Sequence, residues 1–184
     1  MKLKSILLAG ILAIPALFPT NAKANLCTCD IVKEHKELAR TIVSLGVPVF
    51  INTNIHCPSG ESGSYFSAGF MVICQDNRTA NGKEVEWTVN NLDTLRHEAH
   101  HLIQDCASGT IGDGKMSLMF NSEKEIYQFL SNSSYTVEQL KQIAAHYEKQ
   151  GVTGYDLLME LEAFVVAKDI PPHYISRKLI EYCS

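Results

Sequence analysis

Leu92-Asp93-Thr94-Leu95-Arg96-His97-Glu98-Ala99-His100-His101-Leu102-Ile103-Gln104-Asp105-Cys106 is the stretch on which the fold turns. On a helix advancing about 100° per residue, Leu92, Leu95, Ala99, Leu102, Ile103 and Cys106 fall within one arc, roughly 140° to 240° from His97. His101 stands about 40° from His97 and Glu98 about 100°, on the other side of the helix. The segment reads as an amphipathic helix, with Asn90, Asn91 or Asp93 available as its cap. Its core stripe and its polar cluster are separated. His100, near 300°, lies on the flank away from Glu98 and reads as surface, or as a residue supporting the cluster from outside.

The polar cluster has a chemical logic. Residues four apart on a helix stand one above the other, so the imidazoles of His97 and His101 can hold one Zn²⁺ ion between them. Glu98, one position on, lies beside such an ion rather than beneath it. There its carboxylate can take a proton from a metal-bound water. Three histidines and a glutamate within five residues favour a metal site over a solvated helix face. A zinc centre that performs chemistry needs a third protein ligand and an open fourth position.

Outward from this helix the chain divides into two kinds of segment. Upstream, Asp30–Leu45 places Leu38, Ala39, Ile42 and Val43 at helical spacing, with Gly46 and Pro48 to end it. Val47–Ile51 and Tyr65–Gln75 are rich in β-branched and aromatic residues, and the turn-forming Pro58–Gly63 lies between them. A small antiparallel sheet is expected, with Val85–Val89 as a further strand after the Asn81-Gly82 turn. Downstream, Ser122–Leu130 and Thr136–Gln150 open with Ser122-x-x-Glu125 and Thr136-x-x-Gln139, both capping-box patterns. Asp156–Asp169 forms a helix halted by Pro171-Pro172, and Ile175–Tyr182 a short last one. The fold class is α+β: a small antiparallel sheet on a mainly helical domain spanning residues 25–184.

Residues 1–24 read as a leader. Met1–Lys4 carry two lysines, Ile6–Phe18 form an apolar run, and Ala22-Lys23-Ala24 supplies a small-x-small cleavage pattern before Asn25. The run is shorter than the roughly 20 residues that span a bilayer, so stable membrane insertion after cleavage is not expected. Cleavage removes three lysines and no acid, moving the net charge from −4 to −7. Such a chain is a poor partner for nucleic acid. All six cysteines lie beyond the cut, which fits a periplasmic or extracellular location and a disulfide framework. Cys27 and Cys29 are too close to pair with each other, so each is expected to tie the amino terminus to something distant.

His97-Glu98-x-x-His101, followed some sixty residues later by Glu160-x-x-Ala163 on a helix, resembles the gluzincin group of zincin metallopeptidases. The resemblance implies one zinc ion per chain, held by His97, His101 and Glu160, with Glu98 as general base and a peptide or protein as substrate. The Gly69–Gln75 run resembles the zincin edge strand that aligns substrate. Several members of the group carry aspartate just after the alanine, where this chain has Phe164. Tyr155, His146 and His173 are available to stabilise an oxyanion. Glu162 is the rival third ligand, and helix geometry separates the two carboxylates. Glu160 shares its face with Ala163 and Ala167, small enough for a close helix approach, whereas Glu162 groups with Leu158, Val165 and Val166 on a core-facing side. The expectation is a secreted zinc metallopeptidase. The alternatives are a non-catalytic zinc-binding secreted module on the same scaffold, against which Glu98 weighs, and a disulfide-stapled protein whose motif is coincidental.

Overall fold

The computed structural model describes residues 32–53, 56–57, 61–80 and 82–184. The leader at residues 1–24 and the tethering expected of Cys27 and Cys29 therefore lie outside the described residues. The chain runs through helix α1 (Lys33–Ser44) and strands β1 (Val49–Ile51), β2 (Gly63–Phe66) and β3 (Phe70–Ile73). Helices α2 (Val89–Ser108), α3 (Glu123–Ser131), α4 (Val137–Lys149), α5 (Tyr155–Asp169) and α6 (Pro172–Cys183) follow. The class is α+β, with six helices and one three-stranded sheet among the described residues. None of these helices is long and apolar enough to cross a membrane.

The sheet is mixed, not antiparallel throughout. Its order is β1-β3-β2, with β1 parallel to β3 (Val49↔Met71) and β2 antiparallel to it (Gly63↔Ile73). The cause lies inside the Tyr65–Gln75 run, which is a hairpin rather than one strand. Gly69 takes a φ of 86°, open to glycine at no steric cost, and its N–H donates to the Phe66 carbonyl at 2.8 Å. The chain folds back there, so β3 fills the centre and β2 is left at the edge. Most of Gly69–Gln75 is thus the central strand.

Val85–Val89 is not a strand either. The amide of the fully buried Gln75 occupies the backbone of Val85: Nε2 donates to its carbonyl and Oε1 accepts from its N–H, both at 2.8 Å. Asn52, at φ 54°, adds a donor to Gln75 Oε1 and another to the Lys83 carbonyl. Two side chains do the work of a ladder, and Val89 is free to begin α2.

That helix starts at Val89, three residues before Leu92. Thr88 is the cap: its hydroxyl accepts from the Asn91 N–H at 3.2 Å and donates to Asp76 at 2.9 Å. Asn90 and Asn91 serve elsewhere, both bonding around Asp76. Thr136 and Gln139 complete a reciprocal capping box on α4, whereas at α3 Ser122 caps but Glu125 reaches back one residue further, to the Asn121 N–H. Pro172 opens α6, which is longer than Ile175–Tyr182 because proline needs no partner for its nitrogen in a first turn.

The main core forms around α2. Leu92, Leu95, Ala99 and Leu102 pack with Leu38 and Ile42 of α1, Met71 and Ile73 of β3, and Ile175 and Leu179 of α6. A second cluster joins Ile126 and Leu130 of α3 to Leu161 and Val165 of α5. Disulfides Cys57–Cys74 and Cys106–Cys183 fasten the sheet region and the ends of α2 and α6. The second closes a separation of 77 residues, and chain entropy assigns such a loop about 4 kcal/mol. Replacing Cys106 and Cys183 together by serine is expected to lower unfolding free energy by about 2–4 kcal/mol in urea titrations under oxidising conditions.

Candidate metal centre

Three donor atoms meet where α2 passes α5. His97 Nε2 and His101 Nε2 are 3.0 Å apart, and Glu160 Oε2 lies 3.3 Å from the first and 3.5 Å from the second. Tetrahedral bonds of the length zinc makes to nitrogen and oxygen place neighbouring donors about 3.3–3.4 Å apart. The triangle therefore has the size such an ion requires, and the three residues could hold a metal. Ala163 and Ala167, both buried on the same side of α5, allow the helices to come this close. His97, Glu98 and His101 are all buried, although they lie opposite the apolar stripe of α2. The polar side of this helix is covered by α5 and β2 and not by solvent.

Charge tells the same story as distance. Burial opposes a positive charge on His101, but hydrogen bonding with Glu160 and Gln104 and the negative charges of Glu98 and Glu160 outweigh it, and its pKa is pushed up to about 9. Burial also opposes ionisation of Glu160, yet the two imidazoles hold it well below the usual carboxylate range. Glu160 Oε2 is nonetheless buried without a hydrogen bond of ordinary geometry. A cluster of this kind demands a positive charge among its donors, supplied by a proton or a metal ion.

Glu98 occupies the other wall. Burial pushes its carboxyl above the usual range, against the pull of His97 and His101, and the Tyr65 backbone N–H donates to it. Gly63 makes this approach of β2 to α2 possible. A Cβ there would stand 2.6 Å from Thr94 Cγ2, 2.9 Å from the Val72 carbonyl oxygen and 3.3 Å from Glu98 Oε1. Tyr65 is itself braced: its hydroxyl donates to the buried Asp105 at 2.5 Å, and Asp105 also accepts from the Gly112 N–H at 3.0 Å.

The two imidazoles are oriented by different means. His101 Nδ1 meets Gln104 Oε1 at 2.7 Å, while Gln104 Nε2 donates to Glu162 Oε2 at 3.0 Å and to the Met159 carbonyl at 3.2 Å. The His97 ring packs edge-on against Phe164 with centroids 4.6 Å apart, and its buried Nδ1 has no hydrogen-bond partner among the described residues. Glu162 is 0% exposed and faces away from the donor triangle; it also accepts from the Met119 N–H at 3.2 Å. His100 is buried and not at the surface, because its Nε2 turns toward Glu162 at 3.3 Å beneath α5.

A cavity of about 510 Å³ opens beside the triangle, bordered by Ser62, by Gly63–Tyr65 of β2 and by Tyr147 of α4. Of the three residues available for an oxyanion, His146 borders the cavity. Tyr155 instead accepts the Leu118 N–H, and His173 is exposed against Tyr174. Tyr147 is the residue missed from sequence. Burial raises its phenol pKa first, with the charge and hydrogen bonding of Glu160 adding to it. No motif marks Tyr147; it arrives through the packing of α4 on α5. Gln104 carried a weak signal, one helical turn beyond His101.

No family model, curated protein or solved structure matches this chain. Gly63→Ala is expected to destabilise by about 1–3 kcal/mol, since neither the Val72 backbone nor the helix can yield cheaply. Ser64→Ala, whose hydroxyl among the described residues bonds only the neighbouring Gly63 carbonyl, should stay within about 0.5 kcal/mol. Parallel chemical denaturation of the two variants checks the difference.

Proposed function

We propose that this protein is an exported zinc-dependent metallopeptidase resembling the gluzincins, with His97, His101 and Glu160 as ligands and Glu98 as general base. One observation carries the reading. Three donors at tetrahedral spacing and a buried carboxylate from the adjacent helix position share one open cavity. Zinc, when bound, would polarise a water and a peptide carbonyl.

The chain's own residues supply the rest. Glu98, its affinity for a proton raised by burial, accepts the proton of the attacking water and returns it to the leaving amine. Tyr147, protonated at neutral pH, offers its hydroxyl to the oxygen on which charge develops. β2 lies at the sheet edge, with no strand on its outer side among the described residues. An extended peptide laid along Ser62–Tyr65 would be held by main-chain hydrogen bonds, which suits a peptide substrate better than a compact small molecule.

Metal analysis and a peptide-library assay test the proposal together. The purified protein should take up about one zinc per chain, and less than about a tenth of an equivalent after reconstitution would sink the reading. Glu98→Gln should keep the zinc and lose at least about a hundredfold in hydrolysis. Glu160→Ala should weaken zinc binding at least about tenfold. Zinc uptake by the unaltered chain without any hydrolysis would instead identify a non-catalytic zinc-binding module.

A further inference from the structure

The buried pair of Glu162 and Gln104 is too well made to be incidental packing. Glu162 is wholly enclosed, and removing a carboxylate from water is costly unless donors surround it. Gln104 Nε2 stands 3.0 Å from one of its oxygens, the Met119 N–H lies 3.2 Å from the other, and His100 Nε2 is 3.3 Å away. Gln104 is also wholly enclosed, and its amide has only one tenable orientation. Its NH₂ group faces two acceptors, the Met159 carbonyl and Glu162; turned over, its oxygen would oppose both. Oε1 must then face His101 Nδ1, at 2.7 Å, and can only accept from it. The hydrogen of the neutral ring is therefore held on Nδ1, and the lone pair of Nε2 is aimed at His97 and Glu160.

We infer that Glu162 is a positioning residue that, through Gln104, fixes the tautomer and orientation of His101 as a metal donor. This rests on the zinc reading above and assigns Glu162 a role distinct from that of ligand. His97 has no such relay among the described residues and packs on the Phe164 ring, so the two imidazoles should respond differently to changes on α5. In the carboxylate–glutamine–imidazole chain, a buried negative charge also strengthens the acceptor that His101 Nδ1 meets, and hence the donor strength of Nε2.

The test is a double-mutant cycle read by metal binding. Zn²⁺ affinity is measured by chelator competition, and the Co²⁺-loaded protein is examined by visible absorption, which reports the donor field. Glu162→Gln keeps the shape and an oxygen for Met119, but an amide there also offers N–H and carries no charge, so the Met159 carbonyl alone is left to hold the Gln104 amide in one orientation. Zn²⁺ affinity should fall at least about tenfold and the Co²⁺ spectrum should shift. Gln104→Met breaks the relay at its middle without removing the Glu162 contact to Met119, and should give a similar loss. The double variant should be no worse than the weaker single one. Wild-type affinity and spectrum in folded Glu162→Gln would overturn the inference, as would additive losses. Should Glu162→Gln not fold, Gln104→Met decides alone, and wild-type affinity there overturns it. If the unaltered chain takes up no zinc, the metal reading itself fails; if it binds zinc and the variants bind as tightly, only the relay fails.

Discussion

Two histidines and three glutamates from two helices are packed side by side, Glu160 half-buried and the others enclosed, and an unpaired charge in such surroundings costs several kcal/mol. The fold meets that cost at each group separately. His97, His101 and Glu160 meet as a triangle that calls for one positive charge, and Glu98 receives the Tyr65 backbone N–H from β2. Glu162 gathers Gln104, Met119 and His100. Every one of these arrangements needs α2 to be touched on several sides at once. The sheet, α5 and α6 all pack against it, and the disulfide from Cys106 to Cys183 closes its far end.

The close approaches come from small residues at chosen points. Ala163 and Ala167 bring α5 onto α2, and Gly63 brings β2 onto the same helix from the other side. Small residues alone would leave voids, and the larger ones fill them. Phe164 lies over His97, and Tyr65 reaches past α2 to Asp105. The site is thus a product of packing as much as of ligand chemistry.

The helices and the His97–His101 pair were legible in the sequence because both follow from the helical period, a local property. Glu160 was legible by the same period, since its face also holds Ala163 and Ala167. The sheet was less so. A single glycine in Tyr65–Gln75 converts one strand into two and exchanges edge for centre, and composition does not mark the reversal. Val85–Val89 has the makings of a strand, but Gln75 and Asn52 claim its backbone from a distance. The burial of His100 and the presence of Tyr147 were illegible for a related reason. Periodicity shows which side of a helix is polar, whereas only the tertiary arrangement shows what a polar side is set against.

Helix α4 contains no fully buried residue, yet it is not a bystander. Its Tyr147 meets Phe164 edge-to-face at 5.8 Å, and Phe164 meets His97 in the same manner at 4.6 Å. Three rings thus form a mechanical linkage from α4 to one imidazole of the triangle. Such contacts are directional but shallow, worth about 0.5–1.5 kcal/mol each. Leu140, Ile143 and Ala144 also seat α4 on the second core cluster, so the packing of that helix bears on the His97 ring through these contacts, while His101 is clamped by an amide. One imidazole of the triangle is held by rings and the other by a hydrogen bond.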